Sequence, residues 1–182
     1  MNKTLVIVLV ALMVCACGKS PDFSIDPVHA AHRDDGRRYV EILENEISSA
    51  DRIIVTEHSF EFDAYDYEAK KSQIEIPINY NTVELSPLQK VGFAEAIRGL
   101  NPATQMGASL CIFAPHHSIA FYKAGVQTSL MEICFECDQV EWRKANFLPP
   151  ESLYPALSAL ISGIGLQPER DWAKLAAEHL GK

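Results

Sequence analysis

Five side chains carry the most evident chemistry in this sequence: Cys111, His116, His117, Cys134 and Cys137. Thiolates and imidazoles are the natural ligands of zinc and copper. Cys134, Cys137 and one histidine, with Cys111 as a fourth ligand, would make a Zn or Cu site. The two-residue gap between Cys134 and Cys137 suits a zinc knuckle, but no second Cys-x-x-Cys pair accompanies it. A structural reading competes with this one. The cysteines would then be small buried hydrophobes, or Cys134 and Cys137 would form a disulfide with one thiol left over. The third reading is thiol chemistry. Redox Cys-x-x-Cys pairs open a helix whose N-terminus lowers the thiol pKa, whereas here Glu132, Glu136 and Asp138 flank the pair at a strand's end.

The elements that must position these residues lie between Ser109 and Trp142. Ala114-Pro115-His116-His117 is a turn, with proline supplying the fixed φ of a first turn position. Lys123-Ala124-Gly125-Val126 is a second turn. Together they predict a three-stranded meander over about 109–138: Leu110–Ala114, Ser118–Tyr122 and Gln127–Glu136. A two-residue Ala124-Gly125 loop sets Lys123 opposite Val126 and His117 opposite Glu132. A loop one residue longer sets Ile119 opposite Met131 and His117 opposite Ile133, which matches apolar to apolar better. Either register brings the proline-histidine bend beside Cys134, so a histidine and the cysteine pair are expected to share one end of the sheet. Cys111 lies two strands away, about 9.6 Å at ~4.8 Å per strand. That exceeds the roughly 7 Å a disulfide spans, unless the Pro-His-His segment is a wide excursion that reorders the strands.

Around this centre the chain reads as α+β, a mostly antiparallel sheet with flanking helices. Tyr39, Val40, Ile42, Leu43 and Ile47 recur at helical offsets over Arg37–Ser49. Ile53–Thr56 is a β-branched run typical of a buried strand. Phe60 and Phe62, and then Ile74, Ile76 and Ile78, alternate with polar residues as strands do, with Pro77 marking an edge. Ser86-Pro87 starts a helix whose stripe is Leu88, Val91, Ala94 and Ile97. Ser152 caps a helix carrying Leu153, Leu157, Leu160, Ile161 and Ile164, and Pro168 opens a last one through Trp172, Leu175, Ala176 and Leu180. The acidic residues Glu57, Glu61, Asp63, Asp66 and Glu68 lack the glycine bend and terminal Glu of a calcium loop, so a solvated strand face accounts for them. Glu57-His58-Ser59 cannot form a relay, because neighbours on a strand point to opposite faces. No Gly-x-Ser-x-Gly elbow, phosphate loop or His-Glu-x-x-His helix is present, so no catalytic residue is assigned.

Net charge of −8 over 182 residues argues against a nucleic-acid partner. The N-terminus is an address: Lys3, an apolar run from Leu5 to Ala16, then Cys17. Val14-Cys15-Ala16-Cys17 resembles the lipobox of bacterial lipoproteins, with Val14 too bulky for Cys15 to be the acceptor. The resemblance implies removal of the signal peptide 1–16 and fatty acylation of Cys17, palmitate being a typical chain. Several acyl chains at ~0.8 kcal/mol per buried CH₂ anchor stably to a membrane. Gly18 implies the outer membrane, facing the periplasm, in a Gram-negative cell. Residues 17–33 read as the tether, in which His29 and His32 are solvated, and 34–182 as a single domain.

Ala50-Asp51-Arg52, Leu85-Ser86, the spacing from Cys111 to Pro115-His116-His117, and Cys134-Phe135-Glu136-Cys137 together resemble an uncharacterised small bacterial domain. In its relatives the histidine pair often reads Pro-Arg-His, which makes His117 the shared position. The resemblance covers roughly Ala50 to Gly165 and implies a common fold with no known activity. The expectation is a non-enzymatic envelope lipoprotein, a binding, adaptor or immunity-type protein with a periplasmic protein partner. The rival expectation is a periplasmic metal-binding or thiol-active protein that uses the Cys/His cluster.

Overall fold

A computed structural model describes residues 30–107 and 110–181. Cys17, the expected signal peptide 1–16, His29, Ala108, Ser109 and Lys182 lie outside the described residues. The fold is α+β. Five strands form one antiparallel sheet: β1 (Arg52–His58), β4 (Asn79–Glu84), β5 (His117–Lys123), β6 (Val126–Cys134) and β7 (Gln139–Trp142), in the order β4-β1-β5-β6-β7. Between β1 and β4 the chain makes a 3₁₀ turn (Glu61–Ala64) and a two-stranded ribbon of β2 (Tyr65–Asp66) and β3 (Lys71–Ser72).

The sheet buries one face, as an antiparallel sheet can. Cross-strand rows make that face explicit. Val55, Ile119 and Met131 stand side by side, and Ile53, Phe121 and Ser129 form the next row. Helix α1 (Asp35–Ser49) lays Tyr39, Leu43 and Ile47 on this face, helical spacing placing them on one stripe. Helices α2 (Pro87–Arg98) and α3 (Leu153–Gly163) complete the cover with Phe93 and Ile97, and with Leu153, Leu157 and Ile161. The capping box at Ser86 and Gln89 starts α2 as its sequence requires. Its buried side differs from the expected stripe. Phe93 and Ile97 face the core, while Leu88 and Val91 are exposed.

Other corrections follow from tertiary packing. Ser152 donates to the Asn101 carbonyl at 2.8 Å instead of capping α3. The alternation of Phe60 and Phe62 belongs to the 3₁₀ turn, not a strand, and Ile74–Ile78 precedes the edge strand β4. The meander is real, but its third strand is β7. Leu110–Ala114 is an irregular segment beside the sheet. The β5–β6 turn has positive φ at Ala124 and Gly125, the geometry that follows the twist of a hairpin. Both expected registers occur in succession. Lys123 pairs with Val126, then a bulge at Thr128 shifts the ladder so that Ile119 meets Met131 and His117 meets Ile133. The bulge aims the Thr128 hydroxyl at Glu46 of α1, 2.7 Å away. Ser129 and Lys144 bind the same buried carboxylate. Burial pushes the Glu46 pKa up, but these donors outweigh it and hold the carboxyl below its ordinary range.

Candidate functional site

The core face of the sheet turns polar at one end. Its last row reads Asn81, Glu57, His117 and Ile133 across β4, β1, β5 and β6. Glu57 and His117 are among the most buried residues, at 1% and 0% exposure. A buried carboxylate must be paired, and Glu57 is. It accepts from Asn81 Nδ2 at 2.5 Å, from the Gln167 backbone N–H at 2.7 Å and from Arg170 Nη1 at 3.1 Å. Two of these donors come from the segment leading into helix α4 (Trp172–Leu180), so Glu57 fastens the C-terminal part of the chain over the sheet.

His117 is left without such partners. Neither ring nitrogen makes a hydrogen bond of good geometry, the Gln167 backbone being a weak contact, and Glu57 Oε1 is 3.9 Å away. Its surroundings are aromatic, with Phe135 and Trp172 edge-to-face at 5.2 and 5.5 Å. Burial lowers its pKa to about 4, although the Glu57 charge and the Gln167 backbone pull the other way. The imidazole is therefore neutral at physiological pH.

His116 is held differently. Its Nε2 meets Asp63 Oδ1 at 2.8 Å, and its ring lies on Trp172 at 4.4 Å and 3° from parallel. Asp63 also accepts from the Phe60 N–H, which closes the 3₁₀ turn and fixes the carboxylate facing the histidine. Asp171 caps α4 by accepting from the Lys174 N–H, so Trp172 enters the helix in a defined direction.

A groove of about 750 Å³ opens beside this stack. One wall is a run of rings in edge-to-face contact: Phe60 with Phe62 at 5.4 Å, Phe62 with Tyr65 at 5.4 Å and Tyr65 with Tyr67 at 5.1 Å. His116 and Trp172 line another part, and Cys111 and Ile112 a third. The exposed apolar residues of the groove are Tyr67 at 84%, Ile112 at 72% and Phe62 at 48%.

The five residues singled out by type are therefore not one cluster. Cys111 and Cys137 form a disulfide with Cα atoms 5.7 Å apart, and Cys134 is the buried free thiol. This corrects the Cys134–Cys137 pairing. Leu110–Ala114 is not a strand, so it can cross to the β6–β7 turn, where Cys137 Sγ also contacts the Ile112 carbonyl at 3.1 Å. The Cys111–Cys134 pairing, which an excursion of the Pro-His-His segment would have allowed, does not form; His117 leads directly into β5 and the strands are not reordered. Among the described residues no group of three or more His, Cys, Asp or Glu side chains is arranged to hold a metal ion. His32, read as solvated tether, pairs with Asp35 at the start of α1. No helix among the described residues is long and apolar enough to cross a membrane.

Glu57 and Asp63, expected on a solvated strand face, instead have buried side chains with fixed partners, and residue type gave no sign of a site role for Arg170 or Trp172. The signal that could have exposed Glu57 was its place on the buried parity of β1, in step with Ile53 and Val55. Compared with the models of known families, with curated proteins and with solved structures, the chain matches none of them.

Proposed function

We propose that this chain is a non-catalytic binding protein, moored by fatty acids on Cys17, whose aromatic groove receives a segment of a protein partner in the cell envelope. The observation that carries this reading is the groove wall of Phe62, Tyr67 and Ile112, which face outward together. Contiguous exposed apolar side chains on a folded domain mark interaction sites. A small-molecule pocket would bury 70–90% of its occupant, and side chains this exposed do not enclose one. A protein segment laid along the wall would cover them. Tyrosine and tryptophan offer large contact area at low entropic cost, which suits them to anchoring a partner.

The comparison that tests this uses envelope extracts and three forms of the mature chain. A partner retained by the wild type and by Leu88→Ala/Val91→Ala, which alters exposed apolar residues on α2, should be lost from Phe62→Ala/Tyr67→Ala. Equal retention by all three would place the interaction elsewhere.

A further inference from the structure

Beside the groove, and sharing His116, Glu136, Arg170 and Trp172 with it, is a narrower cleft of about 320 Å³. Phe135 and Trp172 stand on its walls, and His117 is part of its lining. Glu136 and Glu169 are exposed at its edge, and neither makes an ion pair with a described residue. The one cation of the lining is Arg170, and its charge is answered by buried Glu57. The local balance is therefore two unanswered carboxylates beside aromatic rings.

Three observations agree on what such a cleft takes. Aromatic walls attract cations through the ring quadrupole, increasingly so where water is excluded. The carboxylates supply opposite charge at the entrance. Behind the cleft wall, His117 is an uncharged, fully buried imidazole without a well-formed hydrogen bond, an acceptor that an entering cation would reach by shifting the Phe135 and Trp172 rings packed against it. A neutral imidazole accepts a hydrogen bond at one nitrogen, and ammonium or guanidinium groups are donors only.

We infer that this cleft is a socket for the head of a Lys or Arg side chain belonging to the protein segment that lies in the aromatic groove. The inference rests on the groove being the partner site, and it adds the chemistry of the residue that fixes the partner's register. Apolar residues flanking the cation would lie against Phe62 and Tyr67 while the cation reaches past Trp172.

Selection of random peptides displayed on phage against the full mature chain tests both layers separately. Peptides that depend on Tyr67 should be enriched in Lys or Arg adjacent to aromatic or aliphatic residues. A synthetic copy of the best peptide should weaken about tenfold when its cation is replaced by norleucine, as a partly desolvated cation–π contact of about 1.4 kcal/mol requires. Glu136→Gln/Glu169→Gln should weaken it similarly, and raised salt should do the same. Both glutamates are exposed, so circular dichroism should find that variant folded. Tyr67-dependent peptides without basic residues, or acidic ones, would overturn the socket and leave the groove standing. Selection of nothing that depends on Tyr67 would remove both. Butylamine or methylguanidine alone binding as tightly as the peptide would also overturn the inference, since the site would then serve a free amine.

Discussion

The ring of His116 lies flat on the ring of Trp172, 4.4 Å away and 3° from parallel, so two residues 56 positions apart in the chain meet face to face. This contact joins the mouth of β5 to the first turn of α4 and forms the corner shared by the groove and the narrower cleft. Asp63 orients the histidine through its Nε2, so the corner is braced by three separate segments.

Trp172→Ala should therefore loosen α4 without unfolding the sheet. Trp172 is half-buried, so the expected cost is about 1–3 kcal/mol, below that of a fully buried tryptophan. Hydrogen exchange should show Ala173–Leu180 exchanging faster while β1, β5 and β6 keep their protection. Uniform acceleration across the sheet would mean the corner is part of the global core.

Glu57→Ala would strip the acceptor from Asn81, Gln167 and Arg170 at once. The expected loss is about 2–4 kcal/mol, at the lower side of the usual cost of breaking a buried pair because Arg170 can partly reach water. Urea denaturation at neutral pH measures it. A change below the scatter of surface substitutions would contradict the fastening role of Glu57.

His117 couples stability to pH. Burial, opposed by Glu57 and aided by neighbouring His58 and His116, holds its pKa near 4 in the fold against 6.5 ordinarily. The unfolded chain thus takes the proton first, and stability from this group is lost as pH falls from about 6.5 to about 4, by up to ~1.4 kcal/mol per pH unit. His117→Phe should flatten that slope. It should cost little at pH 7, because at most a weak contact with the Gln167 backbone is lost and two poorly paired polar atoms leave the core. An unchanged slope in His117→Phe would assign the pH dependence to other groups.

The disulfide gives a count. The thiol of Cys134 should resist alkylation while the chain is folded and react once it is unfolded, with Cys111 and Cys137 recovered as one cross-linked peptide pair. Cys111→Ser should lower stability by about 3.5 kcal/mol, the chain-entropy value for a separation of 26 residues. A Cys134–Cys137 linked peptide would contradict the pairing.

Local signals carried much of the fold. The Ser86-Pro87 start of α2, the Ala124-Gly125 turn and the amphipathic stretch behind α1 were legible because capping, positive φ and periodicity act over a few residues. The two competing β5–β6 registers were both readable, but only the bulge at Thr128, held by Glu46 some 82 positions earlier, lets them coexist. The site was less legible. Alternation of aromatic and acidic residues from Phe60 to Asp63 has the period of a strand, yet the segment winds into a turn whose Phe60 and Asp63 meet His116. The link between Glu57 and Arg170 spans 113 positions, and no local pattern encodes it. Cys111 was misplaced for a related reason. A β-like run needs a free neighbouring strand, and β5, the strand that Leu110–Ala114 was expected to pair with, is already flanked by β1 and β6.

The groove is tested most directly by a benzophenone amino acid placed at Tyr67, and separately at Leu88 on the exposed side of α2, in cells exposed to ultraviolet light. Position 67 should yield a discrete adduct with one protein, position 88 should not, and Phe62→Ala should diminish the adduct. Adducts of equal yield from both positions, or none from position 67 when the chain is abundant, would contradict a partner bound in the aromatic groove.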